Sequence, residues 1–123
     1  MIAAATFAYL TGKKVAGIYD HAAARDLRIA AECRGDQLQG VDGDRAVKFG
    51  GTLPEIYDAG DKVFVSFAAE GAGVKGYDRG TSSFYEGKVT DGAVQVYDYG
   101  ENAWFAYDIQ DAGSLASYHR AAQ

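Results

Sequence analysis

A four-residue phrase recurs at fixed spacing and limits what this chain can fold into. Tyr57-Asp58-Ala59-Gly60, Tyr77-Asp78-Arg79-Gly80 and Tyr97-Asp98-Tyr99-Gly100 stand 20 residues apart, and seven residues after each leading tyrosine comes another large aromatic, Phe64, Phe84 or Trp104. An aromatic closing a strand, an aspartate that accepts hydrogen bonds from its own turn, and a glycine free to take a positive φ describe a tight turn between antiparallel strands. The repeating unit is a β-hairpin.

The pattern extends upstream. An offset of 38 residues lays Ile18-Tyr19-Asp20 over Ile56-Tyr57-Asp58, Ile29-Ala30-Ala31-Glu32 over Phe67-Ala68-Ala69-Glu70, and Gly35 over Gly73. This bears on residues 21–34, where Asp20 as a cap, an Ala-rich interior and Gly35 as a stop favour a helix on local rules. Against that, Leu27, Ile29, Ala31 and Cys33 alternate with Arg28, Ala30, Glu32 and Arg34. Period two predicts a strand after a loop, with a helix as the alternative.

Elsewhere the punctuation is dense. Asp42-Gly43-Asp44 separates residues 37–41 from 45–49, with Val41 in the tyrosine position, and Pro54 fits only an edge, a bulge or a strand's start. Strands are expected over 62–69, 74–77, 82–89, 93–97 and 103–109, with Asp91-Gly92 among the turns. At the N-terminus, Ala3–Leu10 and Val15–Asp20 around Thr11-Gly12-Lys13-Lys14 read as a first strand pair. The tail, Asp111–Gln123, reads as a short helix docking Leu115 and Tyr118, or as an extra strand. About eleven short strands leave no room for parallel crossovers, so residues 1–123 are expected to form a single all-β antiparallel domain. The 20-residue period suggests a barrel or barrel-like fold of repeated hairpins; a period near 40 suggests a trefoil-like one. Closure removes exposed sheet edges.

Tyr85-Glu86-Gly87-Lys88-Val89-Thr90-Asp91-Gly92 resembles the opening of a MORN repeat, over eight residues of 123. The resemblance implies a short hairpin there.

Little in the sequence points to chemistry. A net charge of −5 and a pI near 4.8 argue against nucleic acid and anionic membranes as partners. The lone Cys33 cannot form an intramolecular disulfide and reads as a buried thiol; with only His21 and His119 as histidines, no metal-ligand spacing exists, and no cofactor is expected. No Gly-x-Ser-x-Gly occurs, and Gly71-Ala72-Gly73-Val74-Lys75-Gly76 lies between antiparallel strands, so it is no nucleotide loop. With no targeting or membrane segment in the chain, a cytoplasmic location is favoured.

A closed barrel would gather the repeated tyrosines and their aspartates on one rim. Tyr57, Tyr77, Tyr97, Asp58, Asp78, Asp98 and Trp104 are therefore the candidate ligand-binding residues. The expectation is a small soluble binding or interaction module for a small molecule, a sugar or a protein partner. The alternatives are a hydrolase using a carboxylate in the barrel mouth, and a structural protein whose aromatic rim joins copies into a homo-oligomer.

Overall fold

A computed structural model describes residues 1–111. The chain begins with helix α1 (Ile2–Thr11) and continues as strands β1 (Val15–Asp20), β2 (Arg25–Leu27), β3 (Ile29–Arg34), β4 (Gln37–Asp42), β5 (Val47–Thr52) and β6 (Glu55–Asp58). There follow β7 (Val63–Ser66), β8 (Ala68–Glu70), β9 (Gly73–Asp78), β10 (Ser83–Thr90), β11 (Ala93–Asp98) and β12 (Ala103–Asp111). All pairings are antiparallel. Ten strands run up and down in sequence order and close where β12 meets β1; short β2 and β8 lie off the ring, paired to β1 and β9. The fold is an all-β barrel of successive hairpins, and its connectivity is the hairpin meander, not a trefoil. Residues 25–27 and 29–34 are strand, with the turn at 21–24, and the MORN-like stretch forms most of β10 and its turn to β11. The helix or strand expected over 111–123 begins where the described residues end.

The N-terminal segment differs from expectation. Ala3–Leu10 forms no strand with β1; it lies within α1, which threads the barrel and packs against β1, β3, β4, β9, β10, β11 and β12. Alanine has the highest helix propensity, and a ten-strand ring is too wide for its own side chains to fill. A slim helix fits that space: Ala3, Ala4, Ala5, Thr6, Phe7 and Ala8 are all buried. Being apolar on every side is what such surroundings require. Thr6, fully buried, bonds its hydroxyl back to the Ile2 carbonyl at 2.8 Å. Gly12 ends the helix in the left-handed conformation at φ 71°.

The barrel lumen is lined by Ile18, Leu38, Ile56, Val65, Val94 and other alternate residues of the strands. Glycine makes room in two places. Gly40 leaves its inner face to the ring of Phe49 on the paired strand. Gly76 lets the Tyr85 hydroxyl reach across and donate to the Ser66 carbonyl at 2.6 Å. That bond helps close the seam between β7 and β9, which share only one paired position, Val65 with Asp78. Cys33 is half-buried, and desolvation followed by the nearby Asp36 charge raises its pKa.

Candidate functional site

The two ends of the barrel are built differently. At one end the turns are tight, as at Gly35-Asp36, Gly71-Ala72 and Asp91-Gly92; at the other, five four-residue turns each follow an aspartate: Asp20, Asp42, Asp58, Asp78 and Asp98. Each aspartate accepts from its own turn, as when Gly60, Gly80 and Gly100 donate backbone N–H groups at 2.9, 2.8 and 2.8 Å. This is the side-chain turn mimic that makes aspartate common in loops. The positive φ, however, does not fall on the glycine of the phrase. It falls two residues later, on Lys62 (57°), Ser82 (56°) and Asn102 (53°), and likewise on Ala24 (53°) and Ala46 (56°). The glycines are needed for space instead: a Cβ on Gly60 would meet the Arg45 guanidinium at 2.7 Å, and one on Gly100 the Ser83 hydroxyl.

Because strand residues alternate faces, each Tyr-Asp pair is split by the barrel wall. The aspartates turn inward around the N-terminal end of α1, where a cavity of about 650 Å³ is bounded by Asp20, Asp58, Asp78 and Asp98 above an apolar floor that includes Ile18 and Val96. Arg45 reaches into this ring, with Nε 2.8 Å from Asp42 Oδ2 and Nη2 3.3 Å from Asp58 Oδ1. Burial works against the Asp42 carboxylate, but the Arg45 side chain, its backbone N–H and its charge outweigh burial, and the pKa lies below the ordinary carboxylate value. Desolvation raises the pKa of Tyr85 and Tyr107, which also border the cavity. Among the described residues, no three of His, Cys, Asp and Glu converge as metal ligands.

The tyrosines face outward and pair across strands with the second aromatic of each unit. Tyr57 meets Phe64 at 5.0 Å between ring centroids, Tyr77 meets Phe84 at 4.8 Å, and Tyr97 meets Trp104 at 5.1 Å. Tyr99 joins the last pair at 4.8 Å from Tyr97. The predicted residues thus form two sets: Tyr57, Tyr77, Tyr97 and Trp104 on the outer wall, and Asp58, Asp78 and Asp98 in the mouth.

The wall carries more aromatic surface than the repeat phrase alone suggests. Phe84 is 62% exposed, Trp104 53%, Phe64 51%, Tyr99 47% and Tyr57 39%. Phe64 and Phe84 were legible as members of the repeat, yet only the inward turn of the aspartates decides that they point to solvent. Charged side chains stand beside the rings: Lys88 Nζ lies 4.9 Å from the Trp104 ring centre, and Arg79 donates to the Phe64 carbonyl at 2.9 Å.

No family model matches the chain, and neither a curated protein nor a solved structure matches it. Among the described residues, no helix is long and apolar enough to cross a membrane.

Proposed function

We propose that this protein is a binding module that engages its partner through the aromatic outer wall of β6 to β12. The observation that carries this reading is the exposure of Phe64, Phe84 and Trp104, each more than half open to solvent on the outer wall along the run of neighbouring strands from β7 to β12. Cross-strand aromatic pairing strengthens a sheet by about 0.2–1 kcal/mol per pair. Pairing alone does not call for open rings, since fully burying a phenylalanine is worth about 1.5–3 kcal/mol and that gain is left unused here. Rings held rigid by their neighbours, open on one side and close to charged groups suit recognition.

The test compares the wild-type chain with a triple variant, Phe64→Ser, Phe84→Ser and Trp104→Ser, whose fold is first checked by circular dichroism. Both are screened by thermal shift against sugars, peptides, cationic small molecules and nucleotides, since a ligand of the folded state raises the melting temperature by mass action. A shift seen in the wild type and lost in the variant supports the wall. A shift that persists moves binding elsewhere, with the aspartate-lined mouth the next place to look. No shift in any class, with a compact oligomer in sedimentation, favours the assembly reading.

A further inference from the structure

On this aromatic wall, a groove of about 530 Å³ runs between β8 and β10, bordered by Ser66, Ala68, Lys75, Phe84, Glu86 and Tyr99. Its rings come from β10 and from the turn that follows β11, with the Tyr99 N–H donating to the Phe84 carbonyl at 3.0 Å. Glu86 lies on the same face of β10, two residues from Phe84, and hydrogen-bonds the Tyr99 hydroxyl. That bond, ahead of desolvation, raises the Tyr99 pKa. Lys75 is ion-paired with Glu70.

We infer that this groove binds a neutral saccharide, an inference that rests on the outer-wall reading above. Two features favour a sugar over a protein surface. The centre of a protein interface is depleted in charged residues, whereas here Glu86 and Lys75 lie in the groove beside the two exposed rings. A pyranose needs that combination within one ring's width, because it offers an apolar C–H face for an aromatic and equatorial hydroxyls for charged donors and acceptors. The second feature is electrical. The Lys75 charge is balanced by Glu70, so the charge left in the groove is that of the Glu86 carboxylate, an acceptor for hydroxyl groups that repels an anion. An anionic ligand is disfavoured there, while a hydroxyl-rich neutral one can donate to Glu86 and stack on the rings. The volume lies within the range of small-ligand sites.

The experiment titrates the full chain with cellohexaose, chitohexaose and maltohexaose, and with the anionic hexagalacturonate, by calorimetry and saturation-transfer NMR. At least one neutral hexasaccharide is expected to bind, and Phe84→Ala and Tyr99→Ala are each expected to weaken it by about tenfold or more. Tyr99→Phe keeps the ring and removes only the hydroxyl, so it tests the polar half of the site without disturbing packing; a smaller but clear loss is expected. Gln39→Ala, on the opposite wall, is expected to bind as the wild type does. Binding by no neutral chain, binding unaffected by Phe84→Ala and Tyr99→Ala, or tighter binding of hexagalacturonate overturns the inference. If every saccharide fails while a peptide shifts the wild type and not the triple variant, the wall stands as a protein-binding surface and the sugar does not. If no ligand's binding depends on the wall, both fall.

Discussion

Tyr97 and Trp104 meet across β11 and β12 on the outside of the barrel, 5.1 Å apart at their ring centres, while Asp98, the next residue along, turns into the lumen. One peptide unit therefore separates a surface built for contact from a ring of turn-forming carboxylates. The same split at 57–58 and 77–78 gives the molecule an aromatic exterior and an acidic mouth from a single repeated phrase.

Trp104 is the only tryptophan and is more than half exposed, so the intrinsic emission of the folded protein is expected to resemble that of indole in water and to be strongly quenched by acrylamide. Trp104→Ala removes the pair with Tyr97 and the Lys88 contact from a side chain already about half open to solvent. It is expected to cost about 1 kcal/mol in urea unfolding. A cost above about 3 kcal/mol is what truncating a core aromatic does, and would place Trp104 among the structural residues.

Two of the wide turns hold alanine where glycine is easiest. Ala46 sits at φ 56°, in the left-handed region that costs an L-residue about 1–2 kcal/mol. Ala46→Gly relieves that strain and gives back part of it as unfolded-chain entropy. A net gain of about 0.5–1 kcal/mol is expected, visible as a raised urea midpoint with an unchanged slope. Gly80→Ala, at a position without positive φ, is expected to bring no such gain; its Cβ would come 3.1 Å from the Asp61 and Asp78 carboxylates.

How much was legible follows from what each residue contacts. The hairpins were, because aspartate, glycine and a period of two act locally. The rim was foreseen as a place where Tyr57, Tyr77 and Tyr97 gather with Asp58, Asp78 and Asp98, but which face each would take depends on the register of a closed ring, and one strand position separates the two. Helix α1 was missed because an apolar run of eight residues carries no periodicity to distinguish a strand from a helix buried on all sides. Only the width of the lumen decides, and that width is a property of ten strands together. The glycines of the phrase were placed correctly for the wrong reason, since crowding by Arg45 and Ser83 comes from a neighbouring turn and a neighbouring strand.

Gly76 is the tightest point of the wall. A Cβ there would collide with the Ser66 carbonyl oxygen and fall 2.6 Å from the Tyr85 hydroxyl, and a backbone atom cannot swing aside as a side-chain end can. Gly76→Ala is therefore expected to break the Tyr85–Ser66 bond and open the β7–β9 seam. Overpacking of this kind costs about 1–3 kcal/mol, to which a stranded buried hydroxyl adds about 1–3 kcal/mol. Amide exchange should quicken first at β7 and β9. Tyr85→Phe removes the hydroxyl without the clash, and a loss much smaller than that of Gly76→Ala would assign the remainder to the clash.

Arg45 links the turns after β4 and β6 through Asp42 and Asp58. Asp42 is 8% exposed, and its pKa is depressed in the folded state despite burial, so the stability tied to its ionisation is present above the unfolded carboxylate value of about 3.9. That stability is lost as pH falls through the lower folded value. Arg45→Met keeps an aliphatic stem and removes the charge, leaving a buried carboxylate whose desolvation is no longer offset. Breaking a fully buried pair costs about 3–5 kcal/mol. Because the Arg45 side chain is 39% exposed, solvent screening reduces the expected loss to about 1–2 kcal/mol at pH 7. As pH falls below the unfolded value and through the lower folded one, Asp42 takes up its proton and the gap should narrow. Urea unfolding of wild type and variant between pH 7 and pH 3 reads this directly, and the variant should also unfold in acid at a higher pH than the wild type. A gap of constant size across that range would assign the contribution of Arg45 to the packing of its stem against the turns, not to its charge.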